Sequence, residues 1–416
     1  MRNIEHMPNI CLNMIVKNES EIIVEAFDNI RKYIDISLFI ICDTGSSDDT
    51  ISVMKNYFDS NQLKYEIYSD EWIDFEYNRN LALKRCADKS DYILFFDADD
   101  RFNGELRLPE LTADIYEIKY RSAHDHGFYH FKRNLIKNTV GHWVGVLHES
   151  IVANNNNVSS VTIEGDYFVQ TGHFGDRNKN PNKYLDDALV LENAFNREKD
   201  SSSFKARYAH YCATSYFSHG DYIKAIEWFK IRIDLSNISN DKNEEYLAYR
   251  YLGDTYKIQG NHSSALHTWL IGWNAHPSKA ELLYEASNLY AETNNYLLAY
   301  KVAMWGEHLC NTDINNSYCY EQNIYKYGLN YQISKYGLLY HSFNDAFKAL
   351  LRIIKEPFYS AELVDHIIES FYFIIQNSNI QNYPADEVAS LTNYTLSNKC
   401  SNEKLRDEIL LKLKIQ

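Results

Sequence analysis

The 416-residue chain lacks the features of a disulfide-bonded or nucleic-acid-binding protein. Its seven cysteines are scattered and odd in number, with no C-x-x-C pair, so we interpret them as buried thiols in a reducing compartment rather than as a disulfide framework or a zinc site. Basic residues (42) are fewer than acidic residues (57), which gives a net charge of −15. Because no basic surplus is available to neutralise phosphates, we expect no nucleic-acid partner.

The chain also lacks long apolar runs. No stretch approaches the roughly 18 residues that a membrane-spanning helix needs, and residues 1–9 contain no apolar signal-peptide segment. We therefore expect a soluble cytoplasmic protein without a membrane span. Only six prolines and 15 glycines occur, which indicates a compact fold without long disordered linkers, and the length predicts two or three domains.

Between residues 10 and 100, short apolar segments alternate with segments of helical spacing. Repeated β-α units of this length predict a mostly parallel sheet that is covered by helices on both faces. The predicted strands are residues 10–16, 36–42, 64–68 and 92–96.

The last of these strands runs directly into three carboxylates, Asp97, Asp99 and Asp100. In an extended backbone, Asp97 and Asp99 point the same way because they are two residues apart. Paired carboxylate oxygens suit Mg²⁺ or Mn²⁺ that carries a diphosphate. Acidic-x-acidic triplets are expected about eight times by chance in a chain of this composition, so the neighbouring motifs have to decide what this one means.

Two other carboxylates follow predicted strands. Glu19 lies just past the first strand, and Asp43 ends the second. Each has a structural interpretation when taken alone, such as a helix-dipole partner for Glu19. In open α/β sheets, however, ligands bind outside the carboxyl ends of the strands, so the joint positions predict one shared ligand site.

Four segments follow one another in a fixed order: Cys11-Leu12-Asn13-Met14-Ile15-Val16-Lys17-Asn18-Glu19, Cys42-Asp43-Thr44-Gly45-Ser46-Ser47-Asp48-Asp49-Thr50, Tyr77-Asn78-Arg79-Asn80 and Phe96-Asp97-Ala98-Asp99-Asp100. This ordered set resembles the family 2 glycosyltransferases of the GT-A fold, in particular the soluble bacterial-type branch in which tetratricopeptide repeats follow the catalytic domain. The resemblance implies a GT-A catalytic domain with a Rossmann-like mixed α/β sheet, a nucleotide-sugar donor, a divalent metal and, usually, inversion at the anomeric carbon.

The resemblance places the metal, Mn²⁺ or Mg²⁺, at Asp97 and Asp99, with Asp97 also able to hold the ribose and His173 as a late ligand. A bound cation offsets the charge that accumulates on a leaving diphosphate. Asp43 and Arg79 would contact the nucleotide base. The donor, which we expect to be a UDP-sugar although a guanosine donor is also compatible, would be held by Lys17, Asn18, Glu19, Asp43, Arg79 and Asp97.

Residues 141–149 contain two glycines, which permit close backbone approach to a ligand, and an aromatic side chain that can stack on a sugar ring. The resemblance places an acceptor-facing loop here, followed by an acidic residue that accepts the acceptor proton. We assign this base to Glu149, with Asp125 and Asp100 open as alternatives. The acceptor-side residues are Trp143, Gly145 and His148.

From Tyr184 onwards the spacing becomes helical, and a Gly/Asn turn recurs at Gly220-Asp221, Gly260-Asn261 and Asn294-Asn295. These intervals are close to the tetratricopeptide period. We predict a GT-A domain at residues 1–183, repeats at 184–320 and a helical extension at 321–416 that closes the array. The concave surface of such an array would hold a protein or glycan acceptor, or bind a sister subunit in a homo-oligomer.

The leading hypothesis is a metal-dependent, inverting and non-processive glycosyltransferase, since the Q-x-x-R-W motif of processive synthases is absent. One alternative is a helical-repeat interaction scaffold whose nucleotide-sugar-binding domain is catalytically silent. A second is a nucleotidyltransferase, which would more often carry a glycine-rich basic loop where Lys17-Asn18-Glu19 stands.

Overall fold

The computed structural model describes residues 8–121, 129–172, 175–239, 241–311, 321–356, 360–398 and 401–414. The chain divides into two compact units, Met1–Ala248 and Tyr249–Gln416. The first unit continues well past residue 183, where the sequence suggested a boundary, because helices that follow the sheet pack within it. The predicted residues Asp125 and His173 lie outside the described residues.

The strands of the first unit are β1 (Ile10–Val16), β2 (Leu38–Asp43), β3 (Tyr65–Ser69), β4 (Tyr92–Phe95), β5 (Arg101–Gly104), β6 (Ile115–Arg121), β7 (Tyr129–Lys137), β8 (Gly141–Val144), β9 (Ser150–Ala153), β10 (Ser160–Thr162) and β11 (Tyr167–Gln170). The main sheet has the order β3-β2-β1-β4-β7-β6-β11-β5, with β10 beside β6, and β8 pairs with β9 separately. β3, β2, β1 and β4 are parallel, whereas β7 is antiparallel to both of its neighbours. The mixed α/β sheet that the resemblance implies is therefore confirmed.

The helices of this unit are α1 (Ile23–Tyr33), α2 (Thr50–Ser60), α3 (Phe75–Lys84), α4 (Lys183–Arg197), α5 (Ser203–His219) and α6 (Tyr222–Asp234), and α7 (Lys242–Ile258) follows them. Successive residues of β1 enter different cores because side chains alternate along a strand. Leu12 packs in a cluster with Phe27 of α1, whereas Cys11 packs in another with Phe95. Asn13 donates from Nδ2 to the carbonyl of Ala82 in α3 (3.1 Å), so helices cover both faces of the sheet.

The second unit is helical throughout the part that the structure describes. Its remaining helices are α8 (His262–Ala275), α9 (Glu281–Glu292), α10 (Tyr296–Trp305), α11 (Leu329–Leu339), α12 (Phe343–Ile353), α13 (Ala361–Asn377), α14 (Ala385–Ser397) and α15 (Glu403–Lys414). Among the helices described, none combines the length and the apolar character that a membrane crossing requires.

A left-handed residue ends the first helix of each pair at the recurring turns. Its φ is +90° at Gly220, +73° at Gly260 and +61° at Asn294, and the following Asp221 and Asn261 cap the next helix through their side chains. A fourth turn of this kind occurs at His341 (φ +57°), between α11 and α12. The repeating helical hairpins are thus confirmed, and they extend one hairpin further than the sequence pattern indicated.

Candidate functional site

The carboxyl ends of β2, β1 and β4 lie side by side because these strands are parallel neighbours in the sheet. A cavity of about 690 Å³ opens at this edge. Glu19, Asp97 and Asp99 share this cleft, as the strand order requires. The predicted site residues that line it are Lys17, Glu19, Arg79, Asp97, Asp99 and His148.

Arg79, on α3, holds two carboxylates with one guanidinium. Its Nη2 donates to Oδ1 of Asp97 (2.9 Å), and its Nε pairs with Oε1 of Glu149. Burial disfavours the charge on Arg79, but the two carboxylates outweigh this and raise its pKa. Burial likewise raises the pKa of Asp97, yet the Arg79 and Lys132 cations bring it below the ordinary value. Asp97 is therefore ionised at neutral pH and fixed in direction.

The environments of Asp99 and Asp100 favour the charged carboxylate less than the environment of Asp97 does. Burial and then the charge of Asp97 raise the pKa of Asp99. Asp100 is buried, and this burial raises its pKa to about 7. Within the described residues, its Oδ2 has no hydrogen-bond partner. Neighbouring carboxylates that repel one another, with an unpaired oxygen among them, fit a divalent cation that would relieve the repulsion.

Among the described residues, no group of three or more side chains could enclose a metal ion by itself. A cation at Asp97 and Asp99 would therefore need further ligands, and a bound phosphate or water can supply them. That division of ligands is usual for Mg²⁺ in phosphate-handling sites.

Asn18 and Asp43 shape the loops beside the cavity rather than its wall. Asn18 has a φ of +54° and bonds Asp176 through Nδ2 (3.0 Å), while its Oδ1 accepts from the Ser47 amide (2.8 Å). Oδ2 of Asp43 accepts from the amides of Gly45 (3.2 Å) and Ser46 (3.1 Å). Its Oδ1 is buried and has no hydrogen-bond partner within the described ranges.

Glu19 joins the two loops through its backbone and presents its side chain to the cavity. Its amide donates to Oγ1 of Thr50 (2.8 Å), so the first helix begins against the second loop. Burial raises the pKa of the Glu19 carboxyl to about 7, and the charges of Asp99 and Asp176 act in the same direction. Glu19 thus adds a readily protonated carboxyl to the acidic wall.

Trp143 does not offer a free face to a sugar, contrary to the sequence-based expectation. Only 6% of it is exposed, its ring packs edge-on against Phe95, and the Arg79 guanidinium lies 4.9 Å from its ring centre. The Trp143 ring, which we expected to stack on a sugar, instead packs against the guanidinium of Arg79. Glu149 also lies off the cavity wall, behind Arg79.

Gly145 and His148 set the path of the loop that leads to Glu149. Gly145 has a φ of +111°, and a Cβ there would lie 3.2 Å from the Cα of Glu149, so a side chain would be strained by the backbone conformation and crowded against Glu149. His148 has a φ of +54°, a conformation that is unfavourable by about 1–2 kcal/mol for a residue with a Cβ. Its ring stacks on Tyr211 at 3.9 Å between centroids.

The cavity is also lined by residues that the sequence analysis did not name: Arg177, Lys183, Asp187, Trp72 and Phe75. The Arg177 guanidinium pairs with Asp187 and lies 4.9 Å from the Phe75 ring centre. Burial and then the charge of Arg177 lower the pKa of Lys183. Cations beside acidic side chains would suit an anion that carries a metal. Arg177 and Lys183 follow β11 as basic residues in the sequence, and this was the signal that could have identified them. They lie outside the four motifs.

Comparisons with known proteins match the first part of this chain to a family. A model of the family described as Glycosyl transferase family 2 matches residues 11–177. The SPbeta prophage-derived glycosyltransferase SunS of Bacillus subtilis (strain 168) is 33% identical over 98 residues, which are 24% of this chain and 22% of the relative. The aligned part therefore spans less than a quarter of that curated relative.

Solved structures show weaker likeness. The S. aureus TarS 1-349 structure in complex with UDP-GlcNAc has 14% sequence identity and a TM-score of 0.35, over 64% of this chain and 92% of that chain. YrrB, a TPR protein, has 11% identity and a TM-score of 0.33, over 50% of this chain and 93% of that chain.

The family model spans the strands, the Asp97–Asp100 segment and the Glu149 loop, and thereby confirms the resemblance that the four motifs carry. The similarity to Glycosyl transferase family 2 is therefore located in residues 11–177.

Proposed function

We propose that the protein is a metal-dependent, inverting glycosyltransferase that moves one sugar from a nucleotide-sugar donor, a UDP-sugar, to a hydroxyl of a protein or glycan. The observation that carries the proposal is the shared cleft, which is lined by the carboxylates Asp97, Asp99 and Glu19 and by the cations Arg177 and Lys183. A nucleoside diphosphate bound with a divalent cation matches both kinds of lining group.

Asp97 and Asp99 would hold Mn²⁺ or Mg²⁺, which supplies Lewis-acid stabilisation of a leaving diphosphate when it is bound. Arg79 fixes the direction of Asp97 through its hydrogen bond. As the resemblance implies, Asp43 would contact the nucleotide base, and Lys17, which follows the neighbouring strand β1, lies on the cavity wall. His173 stays a proposed further ligand.

Inversion requires the acceptor oxygen to attack from the side opposite the leaving group, with a base that takes its proton. Glu149 is the proposed base. Glu149 pairs with Arg79, so its carboxylate must share or leave Arg79 before it accepts a proton. Asp100 is the alternative, since its pKa of about 7 suits proton transfer near neutral pH.

The helical hairpins would hold the acceptor, because an array of stacked helix pairs supplies an extended surface outside the catalytic domain. A catalytically silent scaffold is the second candidate. The pairing of Arg79 with both Asp97 and Glu149 argues against it, because a scaffold has no need for a buried cation between two carboxylates.

The test is the release of nucleoside diphosphate from a panel of UDP- and GDP-sugars, with Mn²⁺ and again with EDTA. We expect release from at least one donor, and only with the metal. Release that persists in EDTA would refute the metal requirement. Binding of a nucleotide sugar without release or transfer from any donor would favour the scaffold.

A further inference from the structure

One face of α5 contacts the loop that leads to Glu149. Phe204 lies 3.6 Å from the position of a Cβ on Gly145, and Tyr208 meets the backbone of Val146. These two residues and the next two contacts, Arg207 and Tyr211, are spaced as one stripe of an α-helix. The contacts therefore come from a single rigid element that follows the family-matched domain.

Arg207 and Tyr211 hold the most constrained point of this loop, His148. Arg207 donates to the His148 carbonyl from Nε (3.1 Å) and from Nη2 (3.0 Å). The Tyr211 ring is nearly parallel to the His148 ring, at an interplanar angle of 10°. Because His148 has a positive φ, the loop needs such external contacts to keep this conformation.

Arg207 is itself fixed by a buried carboxylate. Its Nη1 pairs with Oε1 of Glu244, whose side chain is 7% exposed. A guanidinium that is paired on one side and donates two hydrogen bonds on the other has little freedom to turn. The position of the His148 carbonyl is therefore set from outside the sheet.

From this loop the contacts continue into the cavity. Glu149 follows His148 directly, pairs with Arg79, and Arg79 in turn bonds Asp97. We propose that Arg207 is a positioning residue for the transfer reaction: by holding the His148 carbonyl, it aims the Glu149 carboxylate. This inference rests on the proposed function. It implies that α5 contributes to catalysis and does not only connect the sheet domain to the repeats.

The first experiment compares Arg207→Met, Arg207→Lys and Arg197→Met, with Arg197 as an exposed control at the end of α4. We expect Arg207→Met to lower kcat by about 10–100-fold, because small displacements of reacting groups have effects of this size. The KM for the donor and the affinity for UDP with Mn²⁺ should stay within about twofold. Arg207→Lys should recover part of kcat, and Arg197→Met should match the wild type. A loss that falls on KM alone would overturn the proposal.

The second experiment combines Arg207→Met with Glu149→Gln. If Arg207 acts through Glu149, the substitution should have almost no further effect on kcat once the carboxylate is gone. Losses that multiply independently would overturn the proposal, even if each single variant is impaired.

A third measurement does not depend on turnover. Amide hydrogen exchange in residues 145–150 should be faster in Arg207→Met than in the wild type, while exchange in β1 and β4 stays unchanged. Unchanged exchange in the loop would overturn the positioning role. If the wild type releases no nucleoside diphosphate from any donor, the proposed function fails, and the exchange result still decides whether Arg207 holds the loop.

Discussion

Asp99 has a less favourable environment than Asp97, since Arg79 bonds Asp97 and burial raises the pKa of Asp99. The charge of Asp99 is therefore unfavourable in the metal-free fold. A bound cation would offset this charge, and this separates a ligand role from a structural one.

We predict that Asp99→Asn abolishes the gain in UDP affinity that Mn²⁺ gives to the wild type, a loss of about tenfold or more. The Tm should be unchanged or slightly higher, because a repelled charge is removed. Calorimetric titration with UDP, with and without Mn²⁺, measures the first effect. The control is Glu105→Gln, an exposed carboxylate that pairs with Arg107 at the surface. Near-normal Mn²⁺ dependence in Asp99→Asn would contradict the metal assignment.

His210, on α5, is a buried imidazole whose titration affects folding. Burial lowers its pKa to about 3, and the cations of Arg232 and Arg207, with His148, act in the same direction. The unfolded chain takes up this proton near pH 6.5, well before the folded one. Stability is therefore fully present above pH 6.5 and is lost progressively as the pH falls towards 3.

At pH 5 this difference amounts to about 2 kcal/mol. We predict that His210→Leu, which keeps an apolar volume without a titrating group, unfolds with a flatter pH dependence between pH 7 and 5 than the wild type. Urea unfolding at both pH values measures the slope. Parallel curves for the two proteins would exclude His210 as the source.

At the scale of the elements, the strands and their carboxylates were predictable because they depend on local patterns. The run from Tyr92 to Phe95 is buried and ends at the carboxylates, as the sequence indicates. The support given by Trp143 to Arg79, and the cations Arg177 and Lys183, were not predictable, since they are brought to the site by tertiary packing between distant segments. A sequence pattern indicates which face of a strand or helix is apolar or charged. It does not indicate which distant side chains will pack against that face.

The recurring turns were likewise predictable only in part. Three turns carry a glycine or asparagine signal, and these were predicted, whereas the fourth uses His341 in the left-handed conformation and gives no such signal. The left-handed backbone conformation recurs at all four turns, although the type of residue that adopts it differs.

We predict that Gly220→Ala destabilises the protein by about 1 kcal/mol, because a Cβ is unfavourable at φ +90° even though nothing lies within 4 Å of it. His341→Gly should act in the opposite direction, with a gain of up to about 1 kcal/mol, because the unfavourable conformation is relieved. Denaturant unfolding of both variants measures whether each substitution lowers or raises the free energy of unfolding. A loss of stability in His341→Gly would show that its side-chain contact with Phe343 outweighs the backbone term.

At the scale of the whole molecule, the compact unit and the family match end at different places. The family match ends at residue 177, but the compact unit includes α4, α5 and α6 and reaches Ala248. The contacts of α5 with residues 145–148 explain why, since they fill space and satisfy a carbonyl that the sheet domain alone would leave open.

We therefore predict that a fragment of residues 1–258, which retains α7 to its end, unfolds cooperatively and binds UDP with Mn²⁺ within about threefold of the full chain. A fragment of residues 1–183 should lack cooperative unfolding, because it exposes the apolar surface that α4 and α5 cover and releases the His148 carbonyl. Circular dichroism melts and calorimetric titration compare the two. Full stability and binding in the shorter fragment would mean that the sheet domain is complete without α5, and Arg207 could then have no part in positioning Glu149.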